Sequence, residues 1–309
     1  MALSSMGRGP NDFDKIDSLL GARCFVSLDG VRATILPGVN GVGIFSPSAL
    51  AGRNLIILGV TSGLGLAATR ACIRAGAQVV AVGRDPAKTA AVAAEFGASV
   101  RVLSADATDP ETAERAVQLA VTEFGSLQGF YHVAGGSGRR QGDGPLHELT
   151  DDGWDYTLEL NLTSVFRSNR AAVRQFLVQG TSGTVVNCGS VLGYSPSPKF
   201  FATHAYAASK AAIIGLTRSA ASHYASHSIR FNVLAPGLVA TPMSARAQGD
   251  PAILEFIRSK QPLDGGRLGQ PEDLDAALVW LLSDASRFVT GQVIGVEGGW
   301  SVSEGQIHP

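Results

Sequence analysis

The sequence predicts an α/β fold: a doubly wound sheet of seven parallel strands with helices on both faces. Three observations carry this. Short, nearly all-apolar runs recur from residue 50 onward, longer Ala- and Leu-rich stretches alternate with them, and glycine-rich turns follow the apolar runs. Strands that are apolar throughout are buried on both faces, and the alternating helices supply the covering layers. Right-handed crossovers then build an open sheet with its ligand crevice at the carboxyl ends of the strands.

The strands are expected at 54–59, 78–82, 100–103, 130–133, 184–188, 230–234 and 292–296. Helices are expected near 64–75, 86–96, 110–124, 151–179, 205–226 and 271–283. Residues 1–49 do not follow this rhythm and are read as an N-terminal extension to a domain spanning 50–309. They include a candidate hairpin, 24–28 with 32–36, around the turn pair Asp29-Gly30. Either this segment is a surface arm or tail, as termini often are, or it makes an oligomer contact or covers the active site.

With 309 residues, 45% of them hydrophobic, the chain can bury one large core. Its 25 Lys and Arg against 26 Asp and Glu leave no basic field to hold nucleic acid or an anionic membrane. No apolar run approaches the ~20 residues that span a bilayer. Asp12, Asp14 and Asp17, with no apolar segment beside them, argue against a signal or transit peptide. Cys24, Cys72 and Cys188 show no paired spacing and read as reduced thiols of a cytoplasmic protein.

The first strand runs straight into Gly59-Val60-Thr61-Ser62-Gly63-Leu64-Gly65 and then a helix. Glycines let the backbone approach a pyrophosphate, and a helix N-terminus offers free N–H groups and the positive end of its dipole. The second strand ends in Gly83-Arg84, where a carboxylate would select NAD by binding the ribose hydroxyl. A guanidinium instead suits a 2′-phosphate, so NADP is favoured and NAD remains the alternative, with Asp85 able to offset part of the Arg84 charge. Asp106, after the third strand, is placed to accept from an adenine amino group or to serve as an ordinary turn carboxylate.

Tyr206 and Lys210 stand four residues apart at the start of a predicted helix and share a face. Ser190 follows the end of a strand, and Asn161 sits inside a helix, where a polar amide is locally unfavourable. No one of these is specific alone; their order along one α/β chain is.

That ordered set resembles the short-chain dehydrogenase/reductase family, in its single-domain subgroup with a Rossmann-like sheet. The likeness runs over about residues 50–303. It rests on Gly59, Gly63 and Gly65; Asp106; Asn161; Ser190; Tyr206 and Lys210; Pro236-Gly237 followed by Thr241; and the stretch from Thr290-Gly291 to Gly298-Gly299. The resemblance implies NADPH-dependent reduction of a small-molecule carbonyl, or the reverse alcohol oxidation. Tyr206 is then the general acid or base, and Lys210 lowers its pKa and binds the nicotinamide ribose. Ser190 holds the substrate oxygen, and Asn161 supports a water relay. The cofactor would lie against Gly59, Thr61, Ser62, Gly63, Leu64 and Gly65, then Arg84, Asp106 and Ala107. Beyond these come Ala134 and Gly135, with Pro236, Gly237, Val239 and Thr241 orienting the nicotinamide.

Two departures stand out. The family's usual Asn-Asn-Ala-Gly is His132-Val133-Ala134-Gly135 here, and its usual Thr before the first glycine is Leu58. His132 is read as a packed structural residue that takes over part of the lost asparagine bonding. On the substrate side, Tyr194, Phe200 and Phe201 are candidates for an aromatic wall or for ordinary packing. Arg139 and Arg140 are candidates for an anionic substrate or for solvated loop charge. His223 and His227 have metal-ligand spacing but no accompanying Glu, so no metal is expected. Ala211, Ala212, Gly215 and Ser219 give one helix a small-residue outer face, which together with the resemblance implies a homo-oligomer, a tetramer or dimer. The alternatives are an NAD-linked alcohol dehydrogenase and a catalytically silent nucleotide-binding subunit.

Overall fold

The computed structural model describes residues 46–304, together with the short strands Ser27–Leu28 and Val31–Arg32. The chain divides into two units, Met1–Val42 and Gly43–Pro309. In the first, Leu28 pairs antiparallel with Val31 and Ser27 with Arg32. The rest of the expected 24–36 hairpin lies outside the described residues.

The second unit holds a seven-stranded parallel sheet. Its strands are β1 (Asn54–Leu58), β2 (Gln78–Gly83), β3 (Val100–Ser104), β4 (Gly129–His132), β5 (Gly183–Cys188), β6 (Ile229–Pro236) and β7 (Val293–Val296). Their order across the sheet is β3-β2-β1-β4-β5-β6-β7. Each strand lies within three residues of its expected position at either end. In β1, Leu55 and Ile57 enter one core cluster while Ile56 and Leu58 enter the other, so alternation sends successive side chains to opposite layers. Both layers are apolar, which is why the strand reads as an unbroken apolar run.

One layer is covered by α1 (Gly63–Arg74), α2 (Pro86–Phe96) and later α9 (Asp275–Leu282). The other is covered by α3 (Thr112–Phe124), α5 (Ser164–Gln179) and α6 (His204–Tyr224). Local signals set several boundaries. The Asp85 carboxylate accepts from the Ala87 and Lys88 amides at 3.0 and 3.2 Å and so caps α2, with Pro86 in its first turn. Thr150 caps α4 (Asp151–Leu158) by accepting from the Gly153 amide at 3.0 Å.

The structure departs from the sequence reading in two places. The continuous helix expected over 151–179 is broken: α4 passes into a π-helical turn, Glu159–Thr163, before α5 begins. Residues 237–270, read without helices, contain α7 (Ala245–Gln248) and α8 (Pro251–Lys260). Ile253 and Ile257 of α8 form a separate cluster with Val191, Ala247 and Trp300. Of these, Val191 and Trp300 line the cavity at the carboxyl end of the sheet. Among the described residues, no helix is long and apolar enough to cross a membrane.

Candidate active site

The sheet opens where its winding reverses, between β1 and β4. The Leu58 carbonyl accepts from both Val133 and Ala134, at 3.0 and 2.7 Å, and the Val82 carbonyl accepts from both Gly59 and Val60. A cavity of about 340 Å³ lies beyond these shared acceptors.

At one end the backbone is packed too closely for side chains. A Cβ on Gly65 would lie 2.0 Å from the Gly59 carbonyl oxygen, and one on Gly59, whose φ is 116°, would lie 2.6 Å from the Ala134 nitrogen. Ser62 leads into α1 without a side-chain cap, which leaves the first N–H groups of that helix for a ligand. Gly83 is closed to a carboxylate, because its Cβ would meet Thr61 Cγ2 at 2.3 Å. Arg84 lines the cavity but pairs with Asp106 at 3.7 Å, not with Asp85, which is committed to capping α2. Asp106 also accepts from the Thr108 amide and hydroxyl at 2.9 and 2.8 Å. Burial raises its pKa, but those bonds and the Arg84 charge outweigh burial and hold it below the ordinary value. This glycine cradle, uncapped helix end and exposed cation fit a nicotinamide dinucleotide.

At the other end stand the proton-transfer candidates. The two oxygens of Asp143 accept from the Ala205 and Tyr206 amides at 3.0 and 3.1 Å, which caps α6 and fixes where Tyr206 emerges. Lys210 is buried, donates to the Cys188 carbonyl at 2.9 Å, and lies 5.5 Å from the centre of the Tyr206 ring. Ser190 accepts from the Leu192 amide at 3.2 Å. Burial pushes the Tyr206 phenol well above its ordinary pKa, and a hydrogen bond with Ser190 acts the other way. Burial also lowers the pKa of Lys210, whose ammonium is engaged by the Cys188 carbonyl.

Asn161 does not line the cavity. It lies buried behind it in the π-turn, where its amide donates to the Gly136 and Thr157 carbonyls at 2.9 Å. Its Oδ1 accepts from the Gly136 amide at 3.0 Å, so the side chain holds the backbone beside Gly135. His132 is also buried, with Nδ1 2.8 Å from the Ser168 hydroxyl and Nε2 3.3 Å from that of Ser164. It ties the end of β4 to successive turns of α5.

Ser190, Tyr206, Lys210 and every expected cofactor contact except Gly65 line this one cavity. Phe201 lines it too, edge-on to Trp300 at 5.5 Å, whereas Phe200 packs on Phe256 and half-exposed Tyr194 faces Glu297. Arg139 lines it and Arg140 does not. The sequence reading missed Asp143, Met243, Arg246 and Trp300, none of which carries a local motif. His223 and His227 set their rings against Tyr224. Cys72 and Cys188 are free and buried, and Cys24 lies outside the described residues.

A family model described as enoyl-(acyl carrier protein) reductase matches residues 59–301. The chain belongs to the short-chain dehydrogenase/reductase family. It is 33% identical over 255 residues to a 2,5-dichloro-2,5-cyclohexadiene-1,4-diol dehydrogenase of Sphingobium indicum, covering 82% of this chain and 99% of that one. It is 37% identical over 234 residues to an inactive 2-(S)-hydroxypropyl-CoM dehydrogenase of Xanthobacter autotrophicus, covering 74% and 97%. A short-chain type dehydrogenase/reductase from Mycobacterium ulcerans superposes with a TM-score of 0.76 at 30% identity, covering 83% and 92%. Dehydrogenases of this family act on alcohols and ketones and use NAD(P).

Proposed function

We propose that this short-chain dehydrogenase/reductase reduces a small-molecule carbonyl with NADPH, with Tyr206 as the proton donor, and runs the reverse oxidation. The observation that carries this reading is the single cavity joining Arg84 and the glycine turn to Tyr206, Lys210 and Ser190. A nicotinamide cofactor held by the cradle supplies the hydride. Ser190 holds the substrate oxygen. Tyr206, kept protonated by burial, gives its phenol proton to that oxygen as negative charge develops there. Lys210 holds the nicotinamide ribose and offsets the phenolate left on Tyr206. Asn161 acts from behind by fixing Gly136. Outside the cavity, the exposed residues Ala211, Ala212, Gly215 and Ser219 of α6 support packing against another copy.

The test is NADPH oxidation by a panel of ketones. Tyr206→Phe should lower kcat by about a hundredfold or more while NADPH still binds. Alcohol oxidation, which starts from the phenolate, should climb with pH across the alkaline range. Undiminished turnover in Tyr206→Phe would exclude the mechanism. The Arg84–Asp106 ion pair favours a second reading, NAD use, because it offsets the charge a 2′-phosphate would meet. Titrating both cofactors separates the two, and tighter NADH binding selects the second. No turnover with either cofactor would make the chain a silent binding subunit.

A further inference from the structure

Past Tyr206 the cavity carries an arrangement that neither proton transfer nor the nucleotide uses. Arg139, from the loop after β4, and Arg246, from α7, both line it and donate to one acceptor, the Phe200 carbonyl oxygen, each at 2.9 Å. The two donating nitrogens can be no farther apart than those lengths laid end to end. One neutral carbonyl is a weak counterpart for two guanidiniums, whose forks match oxyanions. Neither has a carboxylate within ion-pair distance among the described residues. The acid that acts on Arg139 is Asp143, and both its oxygens are already taken by the α6 amides.

Arg139 and Arg246 are not among the expected nucleotide contacts, and they gather on the other side of β1 from Arg84. Arg84 follows β2, on one side of β1, whereas Phe200 follows β5 on the other side. The cation pair therefore stands at the substrate end, where Phe201, Met243 and Trp300 form an apolar wall beside it.

We propose that Arg139 and Arg246 form an oxyanion subsite, so that the substrate reacting at Tyr206 carries a carboxylate or similar oxyanion at its far end. This rests on the reading of the Tyr206 end as a carbonyl-reducing site. An oxyanion bridging the two guanidiniums would satisfy both charges at once, and the apolar wall would hold the carbon skeleton between the anion and the carbonyl.

The test has two arms. One compares levulinate, 5-oxohexanoate and 4-oxocyclohexanecarboxylate with their methyl esters as substrates, since the three differ in the span from anion to carbonyl. The other measures binding of cyclohexanecarboxylate and cyclohexanecarboxamide by calorimetry with NADP present. At low salt the wild type should favour at least one acid over its ester in kcat/KM, and the carboxylate over the amide in Kd, by about tenfold or more. Arg139→Gln combined with Arg246→Gln should bring both ratios to about one. Arg246→Lys should keep part of the preference, and Arg140→Gln, whose side chain lies off the cavity, all of it. If the double variant does not fold, Arg246→Gln against Arg246→Lys carries the comparison. Ratios near one in the wild type, ratios unchanged in the variants, or no detectable binding of either ligand overturn the subsite. A wild type that discriminates the ligands yet reduces no ketone overturns the reductase reading and leaves the subsite standing.

Discussion

Burial, with the Lys210 ammonium nearby, holds the His132 imidazole neutral with a pKa of about 3. In the unfolded chain it titrates near ~6.5. Because the folded value is depressed, the stability it contributes is complete above the unfolded pKa and is lost as pH falls toward about 3. Each pH unit in that window removes up to about 1.4 kcal/mol. His132→Asn, which restores the amide usual in the family, should flatten this acid limb in thermal melts taken across that range. An unchanged slope in the variant would mean that other groups set the acid sensitivity. The exchange of Asn for His and its packed structural role were legible in the sequence, but its partners were not. They are Ser164 and Ser168, two hydroxyls one turn apart on α5 that nothing in the local sequence links to β4.

At the scale of the element, α6 carries Tyr206 and Lys210, and its first turn is held from far away. Thr203, the residue ahead of it, makes no side-chain cap; Asp143, some sixty residues upstream, does that work. Asp143→Ala should lower stability by about 1 kcal/mol and kcat by more than that loss explains, because Tyr206 would no longer emerge at a fixed position. The diagnostic is a fall in kcat with little change in KM and NADPH still bound. Loss of stability with kcat intact would make the aspartate only a cap. The face shared by Tyr206 and Lys210 was legible because helical spacing is a local property. The Asp143 cap was not, since tertiary contact alone creates it. The π-turn was hidden for another reason. One extra residue in a helix of this length barely disturbs its apolar periodicity, and only the oddly placed Asn161 hinted at it. The helix α8 did carry a local start signal, Asp250-Pro251, with the aspartate accepting from Ala252 and Ile253 at 3.0 and 3.3 Å.

At the scale of the whole chain, the alternation of apolar strands and helices was enough to read the sheet, because double-sided burial leaves unbroken apolar runs. It could not show which residues close the cavity from above, since those come from segments without periodicity. The exposed small residues on α6 lie on its outward side, and Trp154, Tyr156 and Phe166 of α4 and α5 are also exposed. Light scattering should therefore give a mass at least twice the 32.0 kDa of one chain, and a monomer would refute the packing proposed for that face. The cavity also has an order in time. Its glycine cradle draws on residues 58–135, whereas Trp300, whose indole N–H donates to the Ser195 carbonyl at 3.0 Å, is added long after them. During synthesis the cradle residues leave the ribosome well before the wall that encloses the substrate can form. A ribosome that stops short of Trp300 releases a chain that has every residue of the cradle and lacks one side of the chamber beside it.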